Sequence, residues 1–110
     1  MHKLLLTVCL AIFPCSIYAA SPDLDTQIGQ MLIVGFRGME PSNTILEDIQ
    51  KRHIGGVVLF SWDGLVKSNE RNIKSPKQVK QLIHDLQATS NIPLFIAIDQ
   101  EGGIVSRLNP

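Results

Sequence analysis

The sequence carries no excess of charge of either sign. Ten basic and ten acidic side chains cancel over its 110 residues. Domains that bind nucleic acid usually carry a basic excess or a basic stripe. We therefore expect neither nucleic acid nor an anionic membrane surface as a partner.

Cysteine is scarce, and several common reactive motifs are missing. Cys9 and Cys15 both fall within the first 20 residues, so the rest of the chain has no thiol chemistry and forms no internal disulfide. No serine stands in a nucleophile elbow, and the histidines have no second ligand at metal spacing. Gly55-Gly56 precedes an apolar run, whereas a dinucleotide-binding turn follows one. We expect no metal and no cofactor.

The longest apolar run is too short to cross a membrane. It covers residues 4–13, and a spanning helix needs about 20 residues. Lys3 precedes the run, and small residues lead up to Ala19 and Ala20, which is the layout of a secretory signal peptide. The alternative, a buried N-terminal helix, would require an amphipathic pattern that this run lacks. The sequence predicts a signal peptide at residues 1–20 and a periplasmic or secreted bacterial protein, free of the membrane after cleavage.

Residues 21–110 alternate between strand and helix patterns. Short runs that are apolar throughout are typical of strands in a parallel sheet covered on both faces. Apolar residues at three- and four-residue spacing predict helices. We expect strands at 31–36, 57–60 and 93–98, and helices at 44–53 and between Ser75 and Thr89, with a short helix or cap at 25–30. The predicted fold class is α/β, with right-handed helical crossovers between parallel strands.

The end of the third predicted strand carries the strongest signal for a site. Asp99 and Glu101 follow the apolar run directly, and two glycines come next. The carboxyl ends of parallel strands are where α/β sheets expose their chemistry, and the glycines favour a loop that allows close backbone approach. The pair would face a sugar, a metal or a water, or else cap a following helix or bind backbone amides. Arg107 would pair with one carboxylate, contact a ligand, or lie in solvent.

A second candidate follows the second predicted strand. Trp62 and Asp63 open a polar loop there. An aromatic ring beside a carboxylate can stack on a sugar, although a lone loop tryptophan more often packs locally. His53 and His84 stand among polar neighbours and are predicted to be surface residues.

Four segments together resemble a known family. Residues 28–36, 55–60, 72–79 and 98–108 are similar, in order and spacing, to the start of the catalytic domain of glycoside hydrolase family 3. They look most like its β-N-acetylhexosaminidase branch. The resemblance implies that residues 21–110 are part of the N-terminal domain, about three βα units of a (β/α)8 TIM barrel that is incomplete here.

The resemblance also implies roles for the candidate residues and a carbohydrate substrate. In the family, the matching aspartate holds hydroxyls of the terminal sugar and the downstream arginine supports that pocket, so these roles are expected for Asp99 and Arg107. Glu101 is a third substrate-binding candidate, with a structural role as its alternative. The family's nucleophile and its acid/base pair belong to later segments, so no catalytic residue is expected within these 110 residues.

The expected activity is that of a retaining glycosidase. Its full-length form would remove terminal non-reducing N-acetyl-β-glucosamine residues from glycosides such as cell-wall fragments. Two alternatives stay open: a β-glucosidase of the same family, and a catalytically inactive truncated remnant. A complete barrel needs about 250 residues, so the 110-residue chain alone is expected to be inactive. No pattern in the sequence indicates an oligomeric state.

Overall fold

The computed structural model describes residues 21–103 and 106–107. The predicted signal peptide at residues 1–20 lies outside them and stays a prediction. Helices and strands alternate along the chain: α1 Leu24–Gln30, β1 Ile33–Gly35, α2 Asn43–Arg52, β2 Gly56–Leu59, α3 Pro76–Thr89 and β3 Phe95–Ile98. In the described part of the chain, no helix is long and apolar enough to cross a bilayer.

Each helix begins at a side chain that accepts a hydrogen bond from the first turn. Asp23 caps α1 through the Thr26 N–H, and Ser42 and Ser75 cap α2 and α3. Such caps satisfy backbone donors that the helix itself leaves unpaired. Pro76 stands at the start of α3, where its missing N–H costs nothing. The predicted helices are confirmed to within one or two residues.

The three strands form one parallel sheet in the order β1-β2-β3. Val34 is in register with Val57, which is in register with Ile96. The α/β class with parallel strands is therefore confirmed. β1 and β3 are shorter than predicted, because residues 31–32, 36 and 93–94 lie outside the ladder, whereas β2 has its predicted length and begins one residue earlier.

The helices cover one face of this sheet. Val57 and Leu59 of β2 are fully buried against apolar residues of α2 and α3, namely Ile45, Ile49, Val79, Leu82 and Leu86. On the opposite face Ile33 is 54% exposed and Phe95 73% exposed. The prediction of a sheet covered on both faces is therefore wrong for the described residues. The two helices that connect consecutive neighbouring strands, α2 and α3, lie on this same side, as crossovers of one hand require.

Glycines allow three backbone segments to meet at the N-terminal edge of the sheet. The Gly55 N–H donates to the Gly29 carbonyl at 2.9 Å. A Cβ at Gly55 would lie 2.2 Å from the Gln30 carbonyl oxygen, and one at Gly29 would lie 1.9 Å from that of Arg52. Side chains at these positions would collide with backbone. Helix α2 ends before this junction, at Arg52. His53 caps it in a left-handed conformation, with a φ of 52°.

Candidate functional site

The carboxyl ends of the three strands meet at one edge of the sheet, because the strands are parallel. Asp99 follows β3 directly, Ser61 lies two residues beyond β2, and Arg37 lies two residues beyond β1. Residues alternate between faces along a strand. Asp99 therefore continues the side of Phe95 and Ala97, which is the face that the helices leave uncovered.

The Arg107 side chain lies at the end of β3 and contacts Asp99 through two of its nitrogen atoms. Its Nε donates to the Asp99 carbonyl oxygen at 3.1 Å, and its Nη2 lies 3.2 Å from Asp99 Oδ2. The side chains are 17% exposed for Arg107 and 39% exposed for Asp99. The structure thus brings together two of the predicted site residues, and the carboxylate is the more accessible partner.

Gln100 closes the loop that carries Arg107. Its side-chain oxygen accepts the Arg107 backbone N–H at 2.7 Å, and its Nε2 donates to Ser106 Oγ at 3.2 Å. These contacts tie the far end of the loop to the residue next to Asp99. Sequence reasoning did not single out Gln100, because an exposed glutamine in a loop carries no pattern of its own.

The two glycines of the loop are required by backbone conformation. Gly102 has φ 82° and Gly103 has φ 57°, a region that side chains rarely tolerate. A Cβ at either position would meet no atom of the described chain within 4 Å. The loop predicted at these two glycines is confirmed. The predicted close approach of another backbone segment to them is not seen among the described residues.

Glu101 stands apart from this arrangement. Its side chain is exposed, and among residues 21–103 and 106–107 it takes part in no hydrogen bond or ion pair. β3 ends at Ile98, so the alternation that places Asp99, the next residue, does not reach Glu101, and the two carboxylates share no strand face. Of the two carboxylates, only Asp99 pairs with Arg107.

Ser61 connects the ends of β2 and β3. Its Oγ accepts a hydrogen bond from Arg107 Nη1 at 3.4 Å. The guanidinium is therefore held from two strands, which limits its rotation and orients its planar donors. Ser61 lay in the predicted polar loop and was not a candidate from sequence.

A buried asparagine fastens the ends of β1 and β2 to each other. Asn72 is fully buried. Its Oδ1 accepts the Phe60 N–H at 3.1 Å, and its Nδ2 donates to the carbonyl oxygens of Phe36 at 3.3 Å and Gly38 at 2.8 Å. Arg71 adds a bond to Phe36 and places its guanidinium 4.9 Å from the centre of the Phe60 ring, within cation–π range.

Asp63 forms an ion pair with the end of β1. Its Oδ2 lies 2.7 Å from Arg37 Nε, and its Oδ1 accepts the Leu65 N–H at 3.0 Å. Burial alone would raise the pKa of Asp63, but the bonds from Arg37 and from the backbone N–H groups of Leu65 and Val66 outweigh it and lower that pKa. Asp63 thus anchors its loop, while the neighbouring Trp62 remains exposed.

The histidines lie away from the strand ends. His84 is exposed on α3 and contacts Asp85, and His53 ends α2 in a left-handed conformation. Within residues 21–103 and 106–107, no group of three or more His, Cys, Asp or Glu side chains is arranged to hold a metal ion.

The chemistry available at this edge is polar recognition. Asp99 offers carboxylate oxygens that accept hydrogen bonds, and the two contacts from Arg107 orient the group. A retaining glycosidase needs a nucleophile and a proton donor about 5 Å apart. The described residues at this edge provide one accessible carboxylate with a fixed partner, which suits the holding of a hydroxylated ligand.

The chain is similar to known glycosidases in sequence and in fold. A β-hexosaminidase from Alkalilimnicola ehrlichii is 37% identical over 76 residues, covering 69% of this chain and 19% of the relative. A solved family 3 β-N-acetylglucosaminidase from Paenibacillus sp. FPU-7 is 36% identical with a TM-score of 0.70, covering 81% of this chain and 16% of that one. The chain thus spans about a fifth or less of these relatives.

A third similarity involves a ligand complex. NagZ from Neisseria gonorrhoeae, solved with N-trifluoroacetyl-D-glucosamine, is 26% identical with a TM-score of 0.57, covering 69% of this chain and 20% of that one. Residues 23–110 match the sequence model described as the glycosyl hydrolase family 3 N terminal domain. The chain belongs to glycosyl hydrolase family 3.

Proposed function

We propose that this chain supplies the first three βα units of a (β/α)8 barrel in a β-N-acetylhexosaminidase. The consecutive order of parallel strands, with helices on one face only, is the arrangement from which such barrels are built. Further strands would extend the sheet from β3 and enclose the exposed face. The longer relatives support this reading, since the chain spans 19% of one β-hexosaminidase.

The observation that carries the proposed function is the state of the Asp99 carboxylate. Its Oδ2 is engaged by Arg107, whereas in the described part of the chain Oδ1 accepts no hydrogen bond. One oxygen is therefore held while the other can accept a sugar hydroxyl. Hydrogen bonds to a charged group are worth about 1.5–3 kcal/mol, so this contact would anchor the terminal sugar.

In the proposed mechanism, Asp99 and Arg107 bind and orient the sugar without breaking the glycosidic bond. A retaining mechanism needs one carboxylate to attack the sugar and a second group to donate and recover a proton. We assign both groups to later segments of the longer protein. Glu101 faces solvent, and we keep it as a weak substrate-binding candidate whose contacts would depend on those segments.

The proposed substrates are glycosides that end in N-acetyl-β-glucosamine at the non-reducing end, with cell-wall fragments as the natural source. The predicted signal peptide supports a periplasmic or secreted location, where such fragments arise. A β-glucosidase of the same family is the alternative activity, and an inactive remnant is the alternative product. The acetamido group of the sugar distinguishes the two activities.

The test compares two aryl glycosides with the same leaving group. The complete protein that carries this chain is incubated with 4-nitrophenyl N-acetyl-β-glucosaminide and with 4-nitrophenyl β-glucoside. We expect kcat/KM to be at least about 100-fold higher for the first, since a site built for an amide rejects analogues that leave its polar groups unpaired. Preference for the glucoside would contradict the proposal, and release from neither would favour the inactive remnant.

A further inference from the structure

Backbone hydrogen bonds close the loop between β2 and α3 at its base. We call residues 61–70 the β2–α3 loop. Arg71 N–H donates to the Ser61 carbonyl at 3.0 Å, and Asn72 N–H donates to the Phe60 carbonyl at 2.9 Å. Asp63 and Ser68 exchange two backbone bonds, at 2.7 and 3.2 Å. The loop is therefore a closed hairpin with a defined shape.

The same loop is tied to the first strand. Asp63 is buried and pairs with Arg37, which lies beyond β1. A buried carboxylate with a matched partner holds its segment in place, because removing either group leaves an unpaired charge. The loop thus spans the sheet edge from β1 to β2.

This ordered loop presents apolar side chains to solvent. Trp62 is 44% exposed, Leu65 80% and Val66 63%. Exposed apolar surface costs about 25 cal/mol per Å² relative to burial. Loops that keep such surface beside a polar site commonly use it to bind a ligand.

The position of the loop identifies what it would contact. It begins at Ser61, whose Oγ is hydrogen-bonded to Arg107, and Arg107 in turn holds Asp99. The loop that carries the apolar side chains therefore begins beside the polar pair. The part of a ligand that extends from a terminal sugar on Asp99 towards β2 would meet this loop first.

We propose that the β2–α3 loop binds the second sugar of the substrate, the one joined to the terminal N-acetylglucosamine. Trp62 supplies an indole face for the C–H face of that ring, and Leu65 and Val66 extend the apolar surface. This inference rests on the proposed function, because it assumes that Asp99 holds the terminal sugar. It makes Trp62 a determinant of specificity for disaccharides over glycosides with a small leaving group.

The experiment compares two substrates in the complete protein. One is N,N′-diacetylchitobiose, whose leaving group is a sugar, and the other is methyl N-acetyl-β-glucosaminide, which has no second ring. The measured quantity is the ratio of kcat/KM for the disaccharide to that for the methyl glycoside. We expect Trp62→Ala to lower this ratio about tenfold, since a stacked aromatic contact is worth up to about 1.5 kcal/mol. Trp62→Phe keeps an aromatic face and should retain most of the ratio.

Asn69→Ala is the matched control, because Asn69 is an exposed polar residue of the same loop, and its ratio should equal that of the wild type. Leu65→Ser provides a second test through a side chain that is almost wholly in solvent, and we expect its ratio to fall about threefold. An unchanged ratio in both Trp62→Ala and Leu65→Ser would overturn the loop's role and leave the proposed function intact. Failure of the wild type to cleave either substrate would overturn both.

Discussion

At the scale of single residues, the sheet edge depends on polar side chains whose bonding capacity is largely used. Asn72 joins β1 to β2, Asp63 joins β1 to the β2–α3 loop, and Arg107 joins β2 to β3. Buried polar groups are costly when unpaired, so these bonds define one arrangement of the strand ends. The orientation of Asp99 follows from that arrangement.

Replacing Asn72 tests this dependence. Asn72→Ala would leave the Phe60 N–H and the Gly38 carbonyl without this partner and would remove one of the two donors to the Phe36 carbonyl. We expect a loss of about 3 kcal/mol in the free energy of unfolding, measured as a lower urea midpoint of the complete protein. Asn69→Ala, at an exposed position, should change it by less than about 0.5 kcal/mol. Equal midpoints for the two variants would show that the Asn72 bonds contribute no net stability.

At the scale of helices and strands, close backbone contacts determine where the sheet begins. Gly29 belongs to α1 and Gly55 precedes β2, and their backbones are joined by a 2.9 Å hydrogen bond. This contact fixes α1 against the entry to β2, beside the point where α2 ends. The strand register then follows from Gly56, which pairs with both Ile33 and Phe95.

A methyl group at Gly55 should disrupt this junction. Its Cβ would lie 2.2 Å from the Gln30 carbonyl oxygen, which is backbone and cannot turn aside. We expect Gly55→Ala to destabilise the protein by at least about 3 kcal/mol, seen as a lower thermal midpoint. Gly64→Ala is the control, since its Cβ would meet its nearest neighbour at 3.7 Å. A Gly55→Ala variant as stable as Gly64→Ala would refute the contact.

The sequence predicted these elements because their signals are local. Ser75-Pro76 marks a helix start by capping and by the fixed φ of proline, and the structure has α3 beginning there. The apolar runs likewise located all three strands. The lengths of β1 and β3 were overestimated, because hydrophobicity does not distinguish residues 31–32 and 93–94, which approach the sheet, from those that pair within it.

The sequence identified part of the candidate site, namely Asp99 and Arg107 near the end of β3 and Asp63 in the loop after β2. Asp99 could be found because it follows an apolar run, and its pairing with Arg107 was one of several alternatives. Asn72, Ser61 and Arg37 could not be found, since their partners are 26 to 46 residues away along the chain. The roles assigned to Asp99, Arg107 and Glu101 in substrate binding stay predictions.

At the scale of the whole molecule, the sheet face that α2 and α3 leave uncovered indicates how this chain would fit into a barrel. Ile33 and Phe95 are exposed on the side away from the helices, and Asp99 continues that side beyond β3. In a (β/α)8 barrel the corresponding face lies inside and the carboxyl ends of the strands form the active site. We therefore propose that several parts of the complete barrel form the sugar site, and that this chain contributes Asp99 to it.

The role of Asp99 in binding the substrate is tested most directly by the hydrolysis of 4-nitrophenyl N-acetyl-β-glucosaminide by the complete protein and by its Asp99→Asn variant. Asparagine keeps the shape of the side chain but removes the charge that Arg107 and a sugar hydroxyl engage. Asp85→Asn, on the surface of α3, is the matched control. We predict that Asp99→Asn lowers kcat/KM by about 10- to 100-fold in a protein that still unfolds cooperatively, and that the control keeps wild-type activity. Wild-type kcat/KM in Asp99→Asn would contradict the central claim that Asp99 anchors the substrate.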